Sequence, residues 1–242
     1  MNAFLGTVKK RSLGIMDDKK ICFIYCANNQ KKLSESWNYI EKLHIPSGYT
    51  IEKRIAWNAS CMTAGYNRGM AESDAKYKVY LHQDVNIIDY AFLHSIIYYF
   101  NKYPKLGLLG MIGTKCLPET GVWWETSRAA YYGKVYYFKK IIGGHEVVND
   151  FESVQVVDGL IMITQYDLRW RDDLFRGWHF YDASQCMEFI KAGYLVGIPK
   201  QSTPWCEHNA TNNRDGYVES QQIFLREYLD LIRSTNLKSK GE

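Results

Sequence analysis

Residues 21–26 are an unbroken apolar run, the pattern of a strand buried on both faces. Asn28 and Asn29 interrupt it. Leu33, Trp37, Ile40 and Leu43 then fall on one stripe of a helix over residues 31–43. Pro46-Ser47-Gly48 marks a turn, and residues 49–56 alternate as a second strand ending at Trp57-Asn58. The spacing predicts a helix over 59–73, a third strand over 76–81, an aromatic-rich helix over 89–103 stopped by Pro104, and a fourth strand over 106–112. This β-α-β-α-β-α-β order with short connections predicts an α/β fold: a mainly parallel sheet with helices on both faces.

Beyond residue 113 the periodicity fades. Residues 113–133 hold Gly, Pro and the pair Trp123-Trp124, 135–147 read as a short hairpin, and 154–164 are strongly β-like. A helix over 182–192 and a short strand over 194–199 follow. The segment 218–232 is an amphipathic helix with Ile223, Leu225, Tyr228 and Leu231 apolar. With no repeat or low-complexity linker, the expectation is a single domain over 20–215, preceded by an extension (1–19) and followed by a helix and tail (216–242).

The 242 residues, 46% hydrophobic and 23% charged, suit one soluble globular domain. A formal charge of +4 is too mild and too dispersed for a nucleic-acid binder. The 19 tyrosines fit either a stacking surface for sugars or bases, or half-buried seams. Cys22, Cys26, Cys61, Cys116, Cys186 and Cys206 stand singly, against a zinc module or a disulfide framework. Lys9, Lys10 and Arg11 are not followed by an apolar core, and no run reaches the length of a membrane span. The expectation is therefore a cytoplasmic protein, and the sequon at Asn209 is disregarded. Arg226, Arg233, Lys238 and Lys240 on the last helix are placed either to touch a membrane's inner face or a partner, or to ride on a helix packed against its own domain.

The third strand ends in His82-Gln83-Asp84. A carboxylate at the C-terminal end of a strand in an α/β sheet lies where such folds bind ligands. There is no G-x-G-x-x-G, no G-x-x-x-x-G-K-[ST] and no G-x-S-x-G, so bound phosphate would be neutralised by a carboxylate-held metal. From residue type alone Asp84 is a metal ligand or a turn cap, and His208 a ligand or a structural histidine. Asp182, at the start of a helix, is an N-cap or a general base. Trp123 and Trp124 either pack inside or stack on a sugar.

Taken together, residues 58–70, residues 75–85, Gly110-Met111-Ile112-Gly113, Trp123-Trp124, Val157-Asp158-Gly159, Phe180-Tyr181-Asp182 and His208 resemble glycosyltransferase family 2-like proteins of GT-A fold, nearest the bacterial branch whose metal motif reads H-Q-D. The resemblance implies transfer of a sugar from a nucleoside-diphosphate sugar, foremost a UDP-sugar, to a glycan or lipid-linked glycan acceptor in glycan or polysaccharide biosynthesis. It places the base near Cys26, Ala27, Asn28, Trp57 and Asn58, with Asn67 close to the nucleotide. His82-Gln83-Asp84 stands in for D-x-D, with His82 toward the ribose. Asp84 and the late ligand His208 would hold Mn²⁺ or Mg²⁺. Asp158 and Gly159 lie beside the donor sugar, and Asp182 is the base of an inverting displacement. A catalytically degenerate nucleotide-sugar- or glycan-binding module is the alternative. A nucleotidyltransferase fits less well, because residues 26–31 are not a Gly-rich basic loop.

Overall fold

The computed structural model describes residues 16–209 and 214–239. Most of the expected N-terminal extension, the rest of the sequon and Lys240 therefore lie outside the described residues. The apolar run at 21–26 becomes the middle of β1 (Asp17–Ala27), followed by α1 (Gln30–Ile40), β2 (Thr50–Trp57), α2 (Met62–Ala71) and β3 (Ala75–His82). Next come β4 (Val85–Ile87), α3 (Phe92–Lys102), β5 (Leu106–Gly110), β6 (Ile112–Thr114), β7 (Tyr131–Tyr137), β8 (Lys140–Gly143), β9 (Phe151–Val154) and β10 (Val156–Val157). β11 (Ile161–Thr164), α4 (Tyr181–Lys191), β12 (Leu195–Pro199), β13 (Cys206–His208) and α5 (Tyr217–Ser239) complete the chain.

The main sheet has the order β2-β1-β3-β11-β5-β12-β9. β1 pairs in parallel with β2 and β3, and β12 with β5, while β11 and β9 run the other way. Five of the seven strands thus share one direction, and their C-terminal ends form one edge, as the alternation of strand and helix predicts. A second sheet, β10-β6-β7-β13-β4 with β8 attached to β7, stands at that edge.

Ile21, Phe23, Ile24 and Tyr25 of β1 are fully buried, because β2 and β3 flank the strand and helices cover it. α1 starts where Asn29 accepts the N–H of Lys32 in an N-cap. α2 lies close on β1 because Gly65 and Gly69 offer no Cβ: one would collide with Cys26 Sγ, the other with Ile24.

Two elements differ from the sequence pattern. The fourth strand, expected over 106–112, bends at Met111 and serves two sheets as β5 and β6. Periodicity cannot register this, because both halves are equally buried and apolar. The last helix packs on its own domain through Phe224, Tyr228 and Ile232, all fully buried, so its innermost stripe is set one residue from the expected one at two of its positions. Arg233 on that helix is paired with Glu119. Among the described residues no helix is long and apolar enough to cross a membrane.

Candidate active site

β3 delivers His82 to the edge where the two sheets meet, and a two-residue turn, Gln83-Asp84, leads into β4. β13 lies antiparallel to β4 with His208 opposite Val85. This register sets His208 Nε2 3.4 Å from Asp84 Oδ1. His82 Nδ1 is 3.5 Å from His208 Nε2, and ligand atoms of the three residues lie within 4.8 Å of one another. Lys32 of α1 donates to Asp84 Oδ2 at 3.0 Å, so the carboxylate already draws cations. Asp84 is no turn cap; its two oxygens face His208 and Lys32.

Burial, with a smaller push from His208, lowers the His82 imidazole to about 4. Burial works to raise Asp84, but His208, His82 and Lys32 outweigh it and hold the carboxyl well below its ordinary value. At neutral pH the pair is therefore neutral imidazole and carboxylate, the forms that ligate metal. The donor set fits a divalent ion. Two imidazoles beside one carboxylate suit Mn²⁺ better than Mg²⁺, which prefers an all-oxygen shell.

The other ring nitrogen of His82, Nε2, lies 2.5 Å from the Tyr181 hydroxyl. That hydroxyl occupies the space a Cβ on Gly159 would need, so glycine there is a steric requirement. Next in the chain, Asp182 Oδ2 accepts the Gly159 N–H at 3.0 Å. Asp182 is not the cap of α4. The capping position is Phe180, held left-handed at φ +58°, and Asp182 sits in the first turn. Burial first, then the charge of Asp158, pushes the Asp182 carboxyl up to about 7, against the pull of nearby backbone N–H groups. Burial likewise raises Asp158, whose Oδ1 accepts the Leu160 N–H at 2.8 Å.

Several residues expected at the nucleotide make structural contacts. Gln83 accepts the N–H groups of Asn28 and Asn29 at 3.0 and 2.9 Å and donates to Asn28 Oδ1 at 2.7 Å, clamping the β1–α1 loop to the end of β3. Cys26 is buried with its thiol toward Met62 O, and Ala27 is buried too. Asn67, expected close to the nucleotide, also braces backbone. Its amide donates to Trp170 O and accepts the Trp170 N–H, both at 2.9 Å, so both ends are occupied by backbone. Asn67→Ala should cost about 1–3 kcal/mol in urea unfolding, since it strands two backbone groups of buried Trp170. A stability within 0.5 kcal/mol of wild type would remove this bracing role. Trp57 stays half-exposed and lines a cavity of about 180 Å³ with Gln30, Ser34, Trp37 and Ile55. Asn58 beside it is left-handed at φ +45°.

The tryptophan pair divides. Trp123 is 7% exposed and stacks on Tyr131 at 5.3 Å, so it is core. Trp124 is 50% exposed, with its ring 5.9 Å from that of Tyr217. The Tyr217 ring also meets His179 at 5.2 Å and Phe180 at 5.1 Å, and its hydroxyl is buried without a partner among the described residues. Tyr217 lies near enough to Asp182 for the carboxylate to help burial raise its phenol. Sequence reasoning missed Tyr217 and His179; the available signal was the position of His179 just before the Phe180-Tyr181-Asp182 motif.

A family model described as "Glycosyltransferase like family" matches residues 22–228. The chain belongs to this glycosyltransferase-like family. No curated protein matches the sequence significantly. Among solved structures, residues 1–349 of S. aureus TarS superpose with a TM-score of 0.52 at 9% identity, covering 83% of this chain and 63% of the fragment. A longer TarS structure gives 0.50 at 10% identity, with 83% and 38% covered. The chain thus spans less than two thirds of the TarS fragment, and at this identity the likeness establishes the shared GT-A fold. The same TarS fragment in complex with UDP-GlcNAc gives a TM-score of 0.49 at 10% identity, covering 80% of this chain and 59% of that one.

Proposed function

We propose that this glycosyltransferase-like protein moves a sugar from a nucleoside-diphosphate sugar to an acceptor hydroxyl with inversion, aided by a divalent metal, in glycan or polysaccharide biosynthesis at the cytoplasmic side of the membrane. The observation that carries the reading is the His82–Asp84–His208 trio joined through Tyr181 to Asp182. An ion on the trio, Mn²⁺ in preference to Mg²⁺, would supply charge neutralisation for the departing diphosphate. Asp84 and His208 provide oxygen and nitrogen donors, and the Tyr181 hydroxyl fixes the His82 ring through Nε2. The Gly159 N–H holds one oxygen of Asp182. As the acceptor oxygen attacks the anomeric carbon and the carbon–diphosphate bond breaks on the opposite face, Asp182 takes the hydroxyl proton. A carboxylate tuned to about 7 suits that work near neutrality. The cavity at Trp57 fits the base. Trp124 and Tyr217, on the Asp182 side, would stack an acceptor glycan; Trp123 is buried.

Uridine nucleotides are the first to test, as the ligands named for TarS. UDP should raise the melting temperature by several degrees with Mn²⁺ and much less with EDTA. Absence of stabilisation by any nucleoside diphosphate would remove the donor from this reading. Turnover of a UDP-sugar panel separates a catalyst from the alternative, a binding module of the same fold.

A further inference from the structure

The hairpin of β7 and β8 carries features that sugar transfer does not use. Tyr137 pairs with Lys140, which leaves Phe138 and Lys139 as a two-residue turn. Both are left-handed, with φ of +45° and +64°. Such a type I′ turn favours Asn-Gly, and a bulky residue in either place is strained. Packing does not compensate. Phe138 is 53% exposed, Ile141 60% and Ile142 42%, and every residue of β8 is exposed.

Ile141 and Ile142 are adjacent in a strand, so they point to opposite faces of the hairpin. A folded partner docked on one face would leave the other isoleucine in water. A lipid interface surrounds the tip and takes Phe138 and both isoleucines together. Lys139 and Lys140 flank the same tip, and among the described residues neither forms an ion pair, whereas Lys134 further down is held by Glu146. Apolar side chains at the end of a ribbon with free ammonium groups beside them match an anionic bilayer, with the lysine stems lying along the chains and the heads at phosphate level.

We propose that the β7–β8 hairpin is a membrane anchor that inserts Phe138, Ile141 and Ile142 into an anionic lipid surface. The tip adjoins the metal trio. Tyr137 packs against His208 with ring centroids 6.2 Å apart, and Asn209 accepts the Phe138 N–H at 3.1 Å. Docking by the tip would therefore bring the site to the headgroup layer. Because the anchor itself rests on the hairpin alone, it stands or falls apart from the donor assignment.

The experiment is co-sedimentation of the full chain with phosphatidylcholine vesicles containing about one third phosphatidylglycerol, alongside phosphatidylcholine alone. Binding is expected to the anionic vesicles. It should be at least about tenfold weaker to the neutral ones, and to the anionic ones for K139E/K140E and for F138S/I141S. A cooperative thermal melt of each variant checks that it remains folded, and UDP-induced stabilisation, measured apart, judges the donor reading. A sharper variant is F138N/K139G, which relieves the turn: it should melt about 2 °C or more above wild type yet bind vesicles more weakly. A structural tip would move both readouts the same way. No binding to anionic vesicles, equal binding by the hairpin variants, or loss of binding in R226E/R233E of α5 instead would overturn the proposal. So would hairpin variants that abolish a dimer but leave vesicle binding intact.

Discussion

Asp182→Asn is expected to abolish glycosyl transfer by about 10²–10⁴-fold while making the protein more stable at pH 8. The two effects share one cause. Asp182 is pushed to about 7, first by burial and then by Asp158, so its carboxylate is costly in the folded state. Its ordinary value is 3.8. Between those values the folded chain keeps a proton that the unfolded chain has released. Stability therefore falls as pH rises through this window, and the whole cost is present above about 7. Asparagine keeps an oxygen for the Gly159 N–H and carries no charge, so it should recover on the order of 4 kcal/mol at pH 8 and little at pH 4. As a base, the wild-type residue must be ionised. The rate should drop about tenfold per pH unit below 7. Urea unfolding at both pH values and a pH–rate profile check the two halves. A variant that transfers sugar at more than a tenth of the wild-type rate would remove Asp182 from the base role.

How legible this site was in the sequence depended on strand length. β1 announces itself because both of its faces are buried, so its pattern is a plain apolar run. β4 and β13 have three residues each, too few for any period to appear. Yet their pairing is what sets His208 against Asp84. That contact was expected from the likeness of motifs, not from the pattern of residues. His82 is a similar case. A histidine one position from a glutamine and two from an aspartate says nothing of a tyrosine hydroxyl 99 positions along the chain, and that hydroxyl is what fixes its ring. The contacts of Asn67 were hidden for the converse reason. A polar residue on a helix near the strand ends looks free for ligand until its partner, the backbone of Trp170, is known. The two tryptophans are identical as sequence; only the stacking of Trp123 on Tyr131 separates core from surface.

Asp84→Ala should act in the opposite sense to Asp182→Asn, losing both activity and stability. Here the carboxyl is held below its ordinary value despite burial, because His208, His82 and Lys32 favour its ionised form. Such a group adds stability above pH 3.8, and that contribution is lost as pH falls through its lower folded value. Alanine removes it and leaves Lys32 and two partly buried imidazoles facing one another without an anion. The metal-free variant should therefore melt below wild type at pH 7, and this deficit should shrink toward pH 3. Deleting the trio's one oxygen donor should weaken Mn²⁺ binding by more than about 100-fold, beyond the loss from removing an outer partner of a ligand. UDP should then stabilise the variant equally with Mn²⁺ and with EDTA, and transfer should fall with the metal. His208→Asp separates charge from donor type. A second carboxylate makes the set harder and should shift the preference from Mn²⁺ toward Mg²⁺, read as the ratio of rates with the two ions. If Asp84→Ala still shows Mn²⁺-dependent stabilisation by UDP, the ion is bound elsewhere, and the trio is a hydrogen-bonded tie between β3, β4 and β13.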